Sequence, residues 1–376
     1  MQTNQKEETR MSGMSHRERF FKAVNHQKPD RVPVDYAVRP DVGKNLINYL
    51  GLKNAEELYQ KLGIDFRKLF LKENHPEFNE RVKENHKKMN ITNGANVIYH
   101  EDGSKEDAWG VITRTSEDGR YNEWVSGPFV DNMDLDSYKW PDMSIYESLE
   151  DFRKRVDVYE GKYVIHGVLN NPFKTCWNLR GMENYLCDMM IEPDFAKELM
   201  KRVTEYEIFK GLRLIEAGCD ILGISGDIAM QDRLLVNPRA WREIDKPNFA
   251  RMVQKFKEAK PDIVIYFHSD GNLEEVIPDL IEVGVEIINP MQPECMDLVK
   301  IKKLYGDKFI MHGTISIQRT LPFGTVDDVR NEVLHRIKYL GENGGLILAP
   351  SNHVQPDTPM ENIIEIYRAA GSFVED

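Results

Sequence analysis

His268-Ser269-Asp270-Gly271-Asn272 sets an imidazole and a carboxylate two residues apart. On an extended segment that spacing turns both toward the same side. The pair suits two ligands of one metal ion, or a histidine oriented by a carboxylate. A further carboxylate, Asp227, follows the apolar run 221–225 through Gly226. A shielded carboxylate needs a partner or a raised pKa, and either serves acid–base chemistry. Asn352 and His353 stand together late in the chain, and His353 counts as a third candidate ligand with His268 and Asp270. The competing explanation is structural. Asp270 or Asn272 would cap the next helix, Asp227 would sit in a loop salt bridge, and Thr358-Pro359 with Glu361 would form a capping box.

The apolar pattern indicates what could bring these residues together. Short, continuously apolar runs at 163–169, 221–225, 263–267, 286–289, 309–312 and 346–349 alternate with helical segments, as a buried parallel sheet requires. Adding 32–38 and roughly 66–71 makes eight, the number that closes a (β/α)8 TIM barrel. Glu216-Ala217-Gly218-Cys219-Asp220-Ile221-Leu222 is echoed by Glu282-Val283-Gly284-Val285-Glu286-Ile287-Ile288, which suggests a repeated helix–Gly–strand unit. Asp194 is expected to cap a helix carrying Leu199, Val203, Tyr206, Phe209, Leu212 and Ile215 on one stripe. Barrel chemistry gathers at the C-terminal ends of the strands. There the chain places Asn170 and Asn171; Asp227; His268 and Asp270; Asn289 and Gln292; His312; and Asn352 and His353.

Around this α/β barrel the sequence predicts an N-terminal helical extension opened by a Ser15–Glu18 capping box, and an inserted β-hairpin at about 95–127 turning at Asp118-Gly119. Residues 1–14 are expected as a disordered tail and 15–376 as one barrel domain. His16, His26, His75, His86, His100 and His335 fall in polar contexts and are expected at the surface.

The chain has 376 residues and a formal charge of −12. It lacks the basic footprint of a nucleic-acid binder and any apolar run long enough to span a membrane. Four cysteines without a CxxC pair point to a reduced, cytoplasmic enzyme.

From Arg17 to Phe373 the sequence resembles the uroporphyrinogen decarboxylase superfamily, on RERFFKAVNHQKPDRVPV, LRGMENYLCDMMIEPD, GDIAMQDRLLVNP, YFHSDGN, INPMQPE and PDTPMENI. The resemblance also implies a (β/α)8 barrel. Decarboxylases of the superfamily grip porphyrinogen carboxylates with an arginine-rich loop, where this chain has Tyr36-Ala37-Val38-Arg39-Pro40 and a single arginine. Several carboxylates need several cations. Thiol-methylating, corrinoid-dependent members hold zinc with a His-x-Cys pair and a distant Cys. His268 matches that histidine, but Asp270 replaces the first Cys and Asn352 stands near the second. The donors become oxygen and nitrogen, suited to zinc or a harder divalent ion.

What the resemblance then implies is a corrinoid-dependent methyltransferase of the O-demethylase type. It would move a methyl group from a methoxylated or methylated small molecule to a separate corrinoid protein, since the chain lacks a corrinoid-anchoring Asp-x-His-x-x-Gly motif. His268, Asp270 and Asp227 would be catalytic. Asn170, Asn171, Arg39, Asn289, Gln292, His312, Asn352 and His353 would contact substrate. A decarboxylase of a tetrapyrrole or small acid, using Asp227 and Arg39, is the first alternative, and a non-catalytic corrinoid- or tetrapyrrole-binding relative the second. A homodimer stays open.

Overall fold

The structure, a computed structural model, describes residues 13–73, 75–92, 94–117, 119, 121–142 and 146–375. Most of the expected tail lies outside these residues, as does Asp118 of the expected hairpin turn. The strands are β1 (Phe66–Leu69), β2 (Ile98–Tyr99), β3 (Lys105–Glu106), β4 (Ile112–Thr115), β5 (Asn122–Ser126), β6 (Val164–Asn170), β7 (Ile221–Ser225), β8 (Val264–His268), β9 (Ile287–Asn289), β10 (Ile310–His312) and β11 (Leu346–Ile347). Seven of them form a parallel sheet in the order β1-β6-β7-β8-β9-β10-β11, with helices between successive strands. The curled sheet has two cores. Phe66, Val164, Ile221, Val264, Tyr266, Ile287, Ile310 and Ile347 meet on its concave side, where Phe20 of the helix His16–Val24 plugs the N-terminal end. A larger apolar layer packs between the sheet and the surrounding helices.

The expected first strand, 32–38, differs from the expectation. It lies between β11 and β1 but makes only isolated parallel bridges, Val34 with Leu348 and Val38 with Val354. Its amides explain this. Pro33 has none, Val34 N–H donates to the Asp65 carboxylate at 2.8 Å, and Tyr36 N–H donates to Asp35 Oδ1 at 2.7 Å. Side chains take donors that a regular ladder would use.

Asp65 is the staple of this end. Its carboxylate accepts from Arg19 (2.8 Å), Arg31 (2.8 and 3.1 Å) and the ring of His16 (2.7 Å), tying the N-terminal helix and the 31–34 segment to β1. His16 is therefore no simple surface residue, and His75 is also buried. The repeated unit is real in three dimensions. Gly218 and Gly284 both adopt positive φ (99° and 92°), and Asp220 and Glu286 each accept a strand amide, from Ile165 and Ile265, at 3.0 Å.

Two caps fail. The helix Pro193–Glu216 starts one residue before Asp194, with Glu192 at its N-cap, so Asp194 serves in the first turn. Pro359 is the N-cap of Met360–Ala369, so no capping box forms and Glu361 accepts from Tyr49 instead. The expected hairpin is part of a larger antiparallel sheet, β2-β3-β4-β5. Among the described residues no helix is long and apolar enough to cross a membrane.

Candidate metal centre

Along each parallel strand, side chains two apart share a face, and the concave face changes character along its length. On β8 it runs Val264, Tyr266, His268; on β9 Ile287, Asn289; on β10 Ile310, His312; on β1 Phe66, Lys68; on β6 Val164, His166. Apolar groups fill the N-terminal part and polar groups crown the C-terminal part.

At that crown Asp227, His268 and Asp270 offer one ligand atom each within 4.8 Å of one another. Asp227 lies just past β7, and its Oδ1 is 3.9 Å from His268 Nε2. The same carboxylate oxygen accepts Asp270 N–H at 2.9 Å, which joins the β7 and β8 loops. Asn352, from the loop after β11, donates to Asp270 Oδ2, while Asp270 Oδ1 is buried with no partner. Burial raises the Asp270 pKa, the neighbouring Asp227 adds to this, and His268 and Asn352 oppose it. A buried, unpartnered carboxylate oxygen with a second carboxylate close by is costly unless a cation or proton joins them. The donor set, one imidazole nitrogen and two carboxylates, fits zinc or a harder divalent cation.

The loop that carries Asp270 is tightly specified. Gly271 N–H donates to Gln292 Oε1 at 2.6 Å, and Asn272 donates from its backbone to Met230 O (2.8 Å) and from its amide to Cys295 O (3.0 Å). Gly271 has φ +95°, and a Cβ there would come 2.4 Å from Met230 O. Gly271→Ala is therefore expected to cost about 1–3 kcal/mol and to displace Asp270. Urea denaturation of the variant beside wild type checks the first effect and a cation titration the second.

The other expected contacts separate into two groups. Asn171 is spent locally, its Oδ1 capping the helix Pro172–Arg180 and its Nδ2 donating to Gly226 O at 3.0 Å. Gln292 holds the Gly271 amide. Asn289 and His312 are buried, and each side chain is bonded on both sides: His268 Nδ1 to Asn289 Oδ1 (2.6 Å), Asn289 Nδ2 to His312 Nδ1 (2.7 Å), and His312 Nε2 to Asp35 Oδ2 (3.2 Å). The side chains of these four residues thus bond within the protein around the triad. Asn170, Arg39, Asn352 and His353 keep exposure, although Asn170 donates to Glu207 and Arg39 to Asp41. His353 lies outside the close triad and bonds Asn352.

Sequence reasoning missed Asp35, Lys68, His166 and Lys174. The first two pair at 2.9 Å on the concave side, and burial pushes His166 down to about 3. The two-residue periodicity, followed backwards from His268 and its counterparts, would have found Lys68 and His166. Lys174, over the Trp177 ring at 3.8 Å, had no such signal. Cys295 is not a thiolate candidate, since burial lifts its thiol to about 11. A separate cleft of about 630 Å³, bordered by Phe78, Arg81, Tyr138 and Trp140, shares no lining residue with the triad.

Residues 120–373 match the family described as Uroporphyrinogen decarboxylase (URO-D). The chain is 26% identical over 209 residues to a methylcobamide:CoM methyltransferase, MtaA, of Methanosarcina barkeri, covering 56% of this chain and 58% of that protein. MtaA from the Fusaro strain of the same species is 23% identical with the same coverage, 56% and 58%. The chain thus spans little over half the length of these curated relatives. A solved methyltransferase from Methanosarcina mazei superposes with a TM-score of 0.66 at 19% identity, covering 96% of this chain and 99% of that one. That likeness establishes a common fold.

Proposed function

Because the chain belongs to the uroporphyrinogen decarboxylase family, we propose that it is a methyltransferase of the corrinoid-dependent branch. It moves a methyl group from a methoxylated or methylated small molecule to a corrinoid carried by a separate protein. The observation that carries this reading is the convergence of Asp227, His268 and Asp270 at the C-terminal end of the sheet. This is where barrels of this class do their chemistry. The free cysteines fit a reduced cytoplasmic setting, and a closed eight-stranded barrel follows if the 32–38 segment counts as the eighth member.

In demethylation the methyl group leaves without its bonding electron pair, which stays on the substrate oxygen. That oxygen must be protonated or coordinated as the bond breaks. A divalent cation held by Asp227, His268 and Asp270 would supply Lewis-acid stabilisation of this charge. Two carboxylates in place of thiolates make the site harder, which favours an oxygen leaving group over a thiol. Asn352 fixes Asp270, while Arg39, Asn170 and His353 are the exposed groups available to orient a donor.

A screen of methoxylated and methylated donors with a reduced corrinoid protein, read by methylcobalt absorbance, tests the proposal. Cation-dependent demethylation of at least one donor is expected. Carbon dioxide release from a porphyrinogen or small acid would move the assignment to decarboxylation. Tight corrinoid binding without turnover across the screen would mark a non-catalytic relative.

A further inference from the structure

We infer that Asp35, acting through His312 and Asn289, sets the tautomer of His268 so that its Nε2 faces Asp227 and Asp270 as a bare acceptor. This rests on the proposed cation site and deepens it. Asp35 and His268 come from the 32–38 segment and β8, and between them runs one unbroken series of side-chain hydrogen bonds.

The direction of every bond follows from its far end. Asp35 Oδ1 accepts Tyr36 N–H at 2.7 Å, and Oδ2 receives the Lys68 ammonium at 2.9 Å and His312 Nε2 at 3.2 Å. Burial works against the Asp35 charge, but Lys68 and His312 outweigh it and hold the carboxyl far below its usual range. An ionised carboxylate only accepts, so His312 Nε2 carries the proton. Burial lowers the His312 pKa and keeps the ring neutral, which makes its Nδ1 an acceptor. Asn289 must then present its NH2 to His312, and its carbonyl is the group facing His268. His268 Nδ1 therefore donates, and in the neutral ring the lone pair lies on Nε2. The amide orientation is assigned by this logic, the proper basis when oxygen and nitrogen look alike.

Asn289 is the pivotal choice, because an amide accepts on one side and donates on the other. The result is unusual for a histidine beside two carboxylates. The other neutral tautomer would turn an N–H toward them and offer a proton to one of the two. The relay instead leaves three acceptors converging, a set that only a cation or an added proton can satisfy. Orienting partners of this kind are common behind metal-bound imidazoles. Asp35, Asn289 and His312 are positioning residues that never touch the cation.

The test uses histidine-labelled, cation-free protein, with the ring nitrogens of His268 assigned by their loss in His268→Gln. In wild type the neutral form of His268 is expected to carry its proton on Nδ1. Asn289→Leu and His312→Phe should lose that single tautomer, whereas Asn289→Asp, which still accepts from His268, should keep it. Cobalt(II) affinity should fall about 10–100-fold in Asn289→Leu, and adding His312→Phe should weaken it no further. Retention of the Nδ1 proton in both Asn289→Leu and His312→Phe overturns the relay, as do additive losses of affinity. Should His312→Phe fail to fold, the contrast between Asn289→Leu and Asn289→Asp decides alone. The expected tautomers in a wild type that binds no cobalt would uphold the relay and remove the cation site, so the two failures are distinguishable.

Discussion

His268→Ala and Asp270→Asn are each expected to lower divalent-cation affinity by about 100-fold or more, beyond the loss typical of removing an orienting partner, and to abolish methyl transfer. The two differ in stability. Asp270 Oδ1 is buried without a partner beside Asp227, so the wild-type chain carries a strained pair of carboxylates when no cation is bound. Asp270→Asn relieves that repulsion and keeps an oxygen for the Asn352 amide. The cation-free variant should therefore melt no lower than cation-free wild type, while only wild type should gain thermal stability on titration with zinc or cobalt(II), as linkage requires. Elemental analysis, calorimetric titration and melting curves measure the three effects. Unchanged affinity and turnover in both variants would dismiss the triad as the working site.

Asp65→Ala should be the most damaging change away from the site. The carboxylate is fully buried, and losing it takes a partner from Arg19, Arg31 and the Val34 amide at once. Removing one member of a buried ionic cluster costs about 3–5 kcal/mol. The loss should appear as easier unfolding and as detachment of the N-terminal helix, whose Phe20 plugs the concave core. The pH dependence has a definite sign. Burial alone would raise the Asp65 pKa, but the hydrogen bond from His16 and the charge of Arg31 bring it below the ordinary 3.8. A group lowered in the folded state stabilises above its unfolded pKa, and that contribution fades as pH falls through the folded value. The stability gap between wild type and Asp65→Ala should thus be full at neutral pH and shrink only under strongly acidic conditions. A gap unchanged down to such acidity would show that the effect is packing, not charge.

Seven of the eight expected strands coincide with observed ones to within two residues at each end, because a buried parallel strand is mostly apolar on both faces. The strand from Phe66 stops at Leu69. At 32–38 the pattern looked equally convincing, but Asp65 and Asp35 diverted the amides. Local pattern could not match Asp65 to its amide, since the carboxylate lies 31 residues from its donor Val34. The helix caps at Asp194 and Thr358 failed for a more local reason, since Glu192 before the first and Pro359 after the second took the boundary.

For the candidate site, residue type and spacing singled out Asp227, His268 and Asp270, which lie within 4.8 Å of one another, but named His353 and not Asp227 as the third metal ligand. Type and spacing could not rank the remaining polar residues. Asn289, His312, Gln292 and Asn171 were expected to meet substrate, and each hydrogen-bonds a protein partner, from 2 residues away for Asn171 to 277 for His312. Periodicity along one strand is a local property and is written in the sequence. Which acceptor faces which donor across the curled sheet depends on register and curvature, so Asp35 meets His312, 277 residues away, only in the tertiary structure.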